Sequence, residues 1–462
     1  MKDNNKKLHK YDLDLFVEDG IKKAPRKYKR VSREYKVIQI GKEILFEPDA
    51  LNRYCLDGWQ DVHHDLLILT AAVEYADRRK QRPLVRRSRK FKLTLPVSKI
   101  NLWQSQEVQI SLRDALQQLT GDNWHFNFFK SVAAYNYPDQ KAILFQTDPL
   151  NYVIAYSDGL DSRCVSSFYS PEEIIRVRVD RKRNLSREKK PFDRIPFHVK
   201  IKNSHETSVH SRGFKFTAIT AIASHLTNVK KIIVPESGQT ALGPVLFPLH
   251  NVYGDYRNHP TFLRKMEKFI KVLLGFSVCY EQPRLWTTKG QTIIEYLKEG
   301  EKSELVNTRS CWQQRWNARY NGKLYQCGLC GACLLRRTSM HTAKIDEPDD
   351  TYLISDLRKT SYNEAMLRCC DVRRSGTMYK HSRTGVQEMQ RFANMAHIAD
   401  EDLEIHAFEI AKNIEGNTEK EVIHKLKKLA TQHELEWKSF VQSLGDKSFI
   451  NNWITEGHED GP

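Results

Sequence analysis

The sequence lacks any stretch approaching the roughly 18 uninterrupted apolar residues of a membrane-spanning helix, which argues against an integral membrane protein. Its first residues also lack the apolar core of a secretory signal, so a cytoplasmic protein with no membrane partner is expected. Cysteines are not spread as in a secreted disulfide framework: of nine, four crowd between Cys311 and Cys333. No internal repeat is visible, and the basic runs carry neither a zinc-finger helix spacing nor an aromatic-rich RNA-binding signature. With 40% hydrophobic and 28% charged residues, the 462-residue chain is neither disordered nor fibrous, and it can bury a substantial core in several units.

Acidic residues are the minority charge, 57 against 74 Lys plus Arg, a net +17. The excess gathers in Lys22 to Arg33, Arg78 to Lys92 and Arg176 to Arg194. Such runs steer polyanions; a surface that attracts nucleotides and acidic partners is favoured over a nucleic-acid groove. Residues 1–31 read as a flexible basic arm, and 32–140 as an α+β unit with a hairpin about Gly41-Lys42, a helix from Asp61 to Arg79 and a strand from Phe91 to Leu95. From 141 to 340 strands and helices alternate, the pattern of an α/β parallel sheet: Tyr152 to Tyr156, Ile174 to Val179 and Lys231 to Val234 are buried-strand runs, and Phe216 to Leu226 has helical spacing. Residues 341–462 form a helical extension, with periodic stretches at Val386 to Ala396, Leu403 to Ala411 and Glu419 to Leu444.

Two motifs carry chemistry. The string Ser157-Asp158-Gly159-Leu160-Asp161-Ser162 follows a buried strand and opens a helix, whose first amides have no internal partners and attract phosphate. Gly159 admits close approach, and Ser157 and Ser162 offer hydroxyls. The Gly-Lys-Ser/Thr of a Walker loop is missing. The second motif is Cys327-x-x-Cys330-x-x-Cys333, preceded by Cys311: four thiolates complete a tetrahedral shell, leave no open position and make a structural metal site. Zinc is expected, with an iron–sulfur cluster the main rival. Cys55, Cys164, Cys279, Cys369 and Cys370 read as packing residues.

The loop resembles the Ser-Gly-Gly-x-Asp-Ser loop of the PP-loop ATP pyrophosphatases, with Gly159 as one of the two glycines and Asp158 standing in place of the other. Together with Thr308-Arg309-Ser310-Cys311-Trp312 and the segment Cys327 to Arg336, it resembles the 7-cyano-7-deazaguanine synthase (QueC) family over Tyr152 to Arg337. The extensions on both sides make the chain look most like the long QueC-like proteins of bacterial antiphage systems, such as those of the Qat operon and type IV CBASS. The resemblance implies a Rossmann-like core of the HUP (adenine nucleotide alpha hydrolase-like) class with a zinc-binding insert. It implies an AMP-forming, pyrophosphate-releasing C–N ligase using ATP, Mg²⁺ and Zn²⁺. The expected substrate is a nucleobase acid, 7-carboxy-7-deazaguanine or a relative, joined to ammonia or to the amino terminus of a protein partner from the same defence operon. Ser157, Asp161, Ser162 and Lys289 of Thr288-Lys289 are the implied catalytic residues; Arg212, Glu236 and His259 are the implied substrate-binding residues. Two other readings are a PP-loop tRNA-modifying enzyme, for which only Cys164 is placed to carry sulfur, and an inactive zinc-containing adaptor.

Overall fold

A computed structural model describes residues 11–29, 34–47, 58–83, 88–132, 150–157, 159–180, 195–202, 204, 206, 209–247, 253–313, 318–367 and 375–456. Cys55, Cys369, Cys370, Asp158 and most of the basic run Arg176 to Arg194 lie outside the described residues. The chain forms an α/β protein of two compact units that interleave along the sequence. One takes Met1–Tyr156, Ser170–Val234 and His250–Glu281; the other takes Ser157–Tyr169, Pro235–Leu249 and Gln282–Pro462. Among the described residues no helix is long and apolar enough to cross a membrane.

The first unit holds two four-stranded parallel sheets. In one the spatial order is Tyr35–Gln39, Leu13–Glu18, Lys90–Val97, Asn123–Lys130. This corrects two expectations. The N-terminal region is α/β with parallel strands rather than α+β, and part of the supposed arm is the strand Leu13–Glu18, buried at all six positions between two neighbours. Parallel strands need covered faces, and the helix Asp61–Arg79, buried over most of its circumference, supplies cover. The expected hairpin also resolves differently. Gly41 does take a left-handed turn, φ 85°, but Tyr35–Gln39 pairs parallel with Leu13–Glu18 while Ile44–Phe46 pairs antiparallel with Ile195–Val199.

The other sheet has the order Cys279–Glu281, Lys231–Ile233, Tyr152–Ala155, Ile174–Val177. Tyr152–Ala155 and Lys231–Ile233 run in parallel with Val153 opposite Ile232, so both leave the sheet at the same edge. The chain continues from them into Ser157 and into Pro235-Glu236, where it enters the second unit. Helix Arg212–Leu226 buries almost every side chain after its first turn, as the run of Ala, Ile and Thr at helical spacing requires.

Histidines inside the first unit's core make its stability pH-dependent. His63 Nδ1 accepts from the Gln60 amide, so His63 Nε2 carries the proton and donates to His225 Nδ1 at 2.7 Å. Burial lowers His63 to about 3 and His64 to about 4. A depressed histidine stabilises the fold above its unfolded value of about 6.5 and loses that stabilisation as pH falls toward the folded value, roughly 3 kcal/mol each by about pH 4. Neighbouring Asp65 acts oppositely: burial raises it to about 6, so acid relieves a strain present at neutral pH. Its relief is about 2 kcal/mol. These three groups together are expected to cost this unit about 4 kcal/mol between about pH 7 and about pH 4, and the lowered carboxyl of buried Glu74 and the lowered imidazole of His210 act in the same direction. Urea midpoints measured across that range test it; a flat profile contradicts it.

The second unit is mostly helical. Loop helix Leu160–Ser166 places Leu160 and Cys164 against Ile293 and Tyr296 of helix Lys289–Tyr296 and Met340 of helix Gly331–Thr342. Helices Ser375–Asn394, Asp400–Ala411 and Glu419–Ser443 fall on the three expected C-terminal stretches, and Phe449–Glu456 adds a fourth. Long helix Glu419–Ser443 lends Leu426 and Leu429 to a core shared with Ala241 and Leu285, and Trp437 and Phe440 to the core around the cysteines.

Candidate nucleotide loop and metal centre

The loop opens with a hydroxyl pair. Ser157 Oγ and Ser162 Oγ lie 3.0 Å apart, and the Gly159 amide donates to Ser157 Oγ at 3.2 Å. Gly159 is the N-cap of Leu160–Ser166; a methyl group there would meet Ser157 Oγ at 3.1 Å and the Arg309 carbonyl oxygen at 3.9 Å. Ser162 is buried, and Asp161, in the helix's first turn, forms an ion pair with Lys289, 128 residues later in the chain. The other Asp161 oxygen, Oδ1, is buried with no hydrogen-bond partner among the described residues. An aspartate in a phosphate loop repels its ligand; Lys289 offsets that charge, and being 5% exposed it is held in place rather than left to solvent. The arrangement offers hydroxyl donors, helix-start amides, a buried cation and one free carboxylate oxygen, a set suited to a phosphate chain with a divalent cation. Burial pushes the Cys164 thiol up to about 12, with Asp161 adding to the effect, so it is an inert packing group.

Lys289 is the first residue of its helix, and the turn before it is tightly specified. Thr288 caps the helix by accepting from the Gln291 amide at 3.1 Å, while Gln291 accepts from the Thr288 amide at 3.0 Å. The Gly238 amide donates to the carbonyls of Arg284 and Thr287, which ties the segment after Glu236 to the one before Lys289. A methyl group at Gly238 would lie 2.1 Å from the Leu285 carbonyl oxygen and 2.5 Å from Leu429 Cδ2. Gly238→Ala is therefore expected to destabilise the second unit by about 3 kcal/mol, the upper range for overpacking against backbone. Gly376→Ala, where an added methyl meets nothing within 4 Å among the described residues, is expected to leave stability unchanged or slightly raised; equal thermal unfolding of the two variants contradicts the assignment.

The remaining predicted site residues divide between the units. Glu236 lies in the second unit with the loop; Arg212 and His259 lie in the first. Arg212 is exposed at the start of its helix with its guanidinium over the Phe216 ring. His259, 1% exposed, caps helix Pro260–Leu274 by accepting from the Thr261 amide, a structural duty. A methyl group at Gly213 would strike the Arg257 backbone at 2.9 Å, so the two predicted segments, Ser211 to Gly213 and Arg257 to Pro260, do pack together.

The four cysteines converge. Sγ atoms of Cys311, Cys327, Cys330 and Cys333 all lie within 4.8 Å of one another, and Cys327 and Cys333 Sγ are 3.8 Å apart. A tetrahedral ion with Zn–S bonds of about 2.3 Å has an edge of about 3.8 Å, so the donor set fits one ion such as zinc. Sulfurs also accept amide hydrogens: Cys330 N donates to Cys327 Sγ at 3.3 Å, and Cys327 N and Gln313 N donate to Cys311 Sγ at 3.3 and 3.4 Å. These bonds favour thiolates. Hydrogen bonds from the neighbouring thiols pull Cys311 far below the ordinary thiol range while burial holds Cys333 far above it; a central cation removes that conflict. Gly328 takes φ 98°, and a methyl group there would strike the Ile354 carbonyl, so the knuckle between the first two ligands of the triplet requires glycine.

Sequence reasoning assigned no role to the two arginines that follow the last cysteine, one joining this knot to the segment before Cys311 and the other bracing the knot itself. Arg336, fully buried, donates to Thr308 Oγ1 and to the carbonyls of Leu305 and Val306. Arg337 donates to the Gly328 and Ile354 carbonyls and covers the Tyr352 ring. The segment Thr308 to Cys311 is thus fixed by Arg336 at Thr308 and by Gln326 Oε1, which accepts from the Ser310 and Cys311 amides, at its cysteine end; its Arg309 carbonyl lies near Gly159 of the loop. Also missed were Gln239, His433 and Glu436, which surround Thr288 and Lys289. No protein-family model, no curated protein and no solved structure matches this chain.

Proposed function

We propose that the second unit activates a carboxylate with ATP: a nucleobase acid of the 7-carboxy-7-deazaguanine type is joined to AMP, and the adenylate is then attacked by an amine. The single observation that carries this reading is the ion pair between Asp161 in the hydroxyl loop and buried Lys289. A phosphate loop needs a cation fixed beside it, and here the cation is fixed by the loop's own aspartate. In the first step a substrate carboxylate oxygen forms a bond to the α-phosphorus while the bond to pyrophosphate breaks. Ser157, Ser162 and the first amides of Leu160–Ser166 hold the phosphate oxygens, and Lys289 supplies positive charge to the departing pyrophosphate. Asp161 Oδ1 is the donor available to Mg²⁺, which would shield the phosphates when bound. In the second step the amine nitrogen bonds to the carbonyl carbon, the bond to AMP breaks, and the nitrogen loses its proton. The four cysteines hold zinc in a structural role.

The reading is a C–N ligase of the QueC kind working in antiphage defence, with ammonia or the amino terminus of a partner protein as the amine. Its test is incubation with ATP, the acid and either ammonia or the candidate partner, followed by intact-mass measurement of the small-molecule and protein products. A mass increase on the partner selects the protein acceptor; a nitrile or amide of the free base selects ammonia; no adduct and no pyrophosphate with any nucleobase acid rejects the proposal. Sulfur transfer to tRNA is disfavoured by the inert Cys164, and Cys164→Ser is expected to leave pyrophosphate release within about twofold of the parent.

A further inference from the structure

A chain of buried hydrogen bonds runs from the long C-terminal helix Glu419–Ser443 to the backbone of Lys289. His433, 1% exposed, has both ring nitrogens engaged: Nε2 meets the Met389 carbonyl oxygen at 2.9 Å, and Nδ1 meets Gln239 Nε2 at 2.8 Å. A carbonyl only accepts, so Nε2 carries the proton and Nδ1 must accept from the Gln239 amide. This fixes the Gln239 side chain with its oxygen toward the Lys289 amide, which donates to it at 2.8 Å. Every donor and acceptor in the series Met389, His433, Gln239, Lys289 therefore has one allowed direction. The other side of the same turn is held by Glu436, 3% exposed, which accepts from the Thr288 hydroxyl and from Gln432 Nε2. Its carboxylate also fills the space over Gly290, where a methyl group would meet it at 2.8 Å.

A lysine side chain has four rotatable bonds, and where its ammonium sits depends on where its backbone is anchored. In the second unit that anchor is built from Gln239, which follows Glu236 by three residues, and from the C-terminal helix.

We infer that His433 and Gln239 are positioning residues that aim Lys289 at the loop, so that the C-terminal helical extension is an integral part of the nucleotide centre. This rests on the proposed role of Lys289. His433 and Gln239 touch no phosphate; they act through the Lys289 amide.

The test compares His433→Leu with His433→Asn in the full chain. Both variants lose the bond to Met389 and leave similar cavities, so a purely structural role would affect both alike. Asparagine keeps an acceptor near the place of Nδ1; leucine does not. His433→Leu is expected to lower kcat for pyrophosphate release about tenfold with KM for ATP within about twofold, while His433→Asn stays within about threefold of the parent. Gln239→Met, close in length and unable to bond at either end, repeats the tenfold loss if leucine at 433 compromises folding. Combining His433→Leu with Lys289→Ala causes no further loss, because the two act as one unit. Equal rates for the leucine and asparagine variants, a change confined to KM, or additive losses with Lys289→Ala overturn the inference. An active parent with an impaired Lys289→Ala but an unaffected Gln239→Met overturns this inference alone. A Lys289→Ala variant as fast as the parent overturns the proposed function together with it.

Discussion

Replacing Lys289 by alanine is expected to slow pyrophosphate release by about 100- to 1,000-fold, the range for removing one preorganised donor from a developing anion. The effect has two separable parts. One is lost stabilisation of the leaving phosphates. The other is structural: Asp161, partly buried, is left without its counter-charge, a change that costs up to about 3 kcal/mol when one partner of a largely buried ion pair is removed. The double variant Asp161→Asn, Lys289→Met separates them. Removing both charges is expected to restore most of the thermal stability lost by Lys289→Ala without restoring the rate. Recovery of both, or of neither, contradicts the dual role.

If the four cysteines hold a metal ion, as their geometry allows, its loss is expected to unfold most of the second unit. The four thiols sit inside a core with Leu329, Leu334, Tyr352, Ile354, Trp437 and Phe440, so an ion held by them would be a packing centre as well as a cross-link. Structural zinc sites contribute on the order of 10–16 kcal/mol at neutral pH, which matches or exceeds the ~5–15 kcal/mol net stability of a whole domain. The expected results are one zinc per chain by elemental analysis, loss of zinc and helical circular dichroism in Cys330→Ser, and the same loss on treatment with a strong chelator. Acid favours release because ligand thiolates must then be protonated. Cys164→Ser, outside the cluster, is the matched control and retains both metal and helicity. Native helicity in a zinc-free chain contradicts this account.

Much of this architecture is readable from residue order because its signals are local. Three closely spaced cysteines, a strand running into Ser157, and the apolar periodicity of Leu403 to Ala411 each declare themselves within a few residues. Strand Leu13–Glu18 did not, because Asp14 and Glu18 interrupt the apolar pattern. Each is satisfied by groups that only the fold brings near: Tyr28 and Lys27 for Asp14, the Ala24 amide and Gln39 for Glu18. The hairpin misreading had a related cause. Gly41 is a true turn, but pairing is chosen by neighbours far along the chain. The residues around Lys289 are hidden for the same reason, since Gln239 and His433 are 194 positions apart and Thr288 and Glu436 are 148 apart. Polar residues on helices otherwise read as solvent-facing, and nothing near them in sequence marks Gln239, His433 and Glu436 as buried.

The most direct test of the central claim follows the fate of ATP labelled at the α-phosphorus in the presence of a nucleobase acid and Mg²⁺. Transfer through the loop predicts that the label appears in AMP, with unlabelled pyrophosphate released in equal amount, and that Lys289→Ala suppresses both. Label recovered in ADP with release of inorganic phosphate would contradict the account.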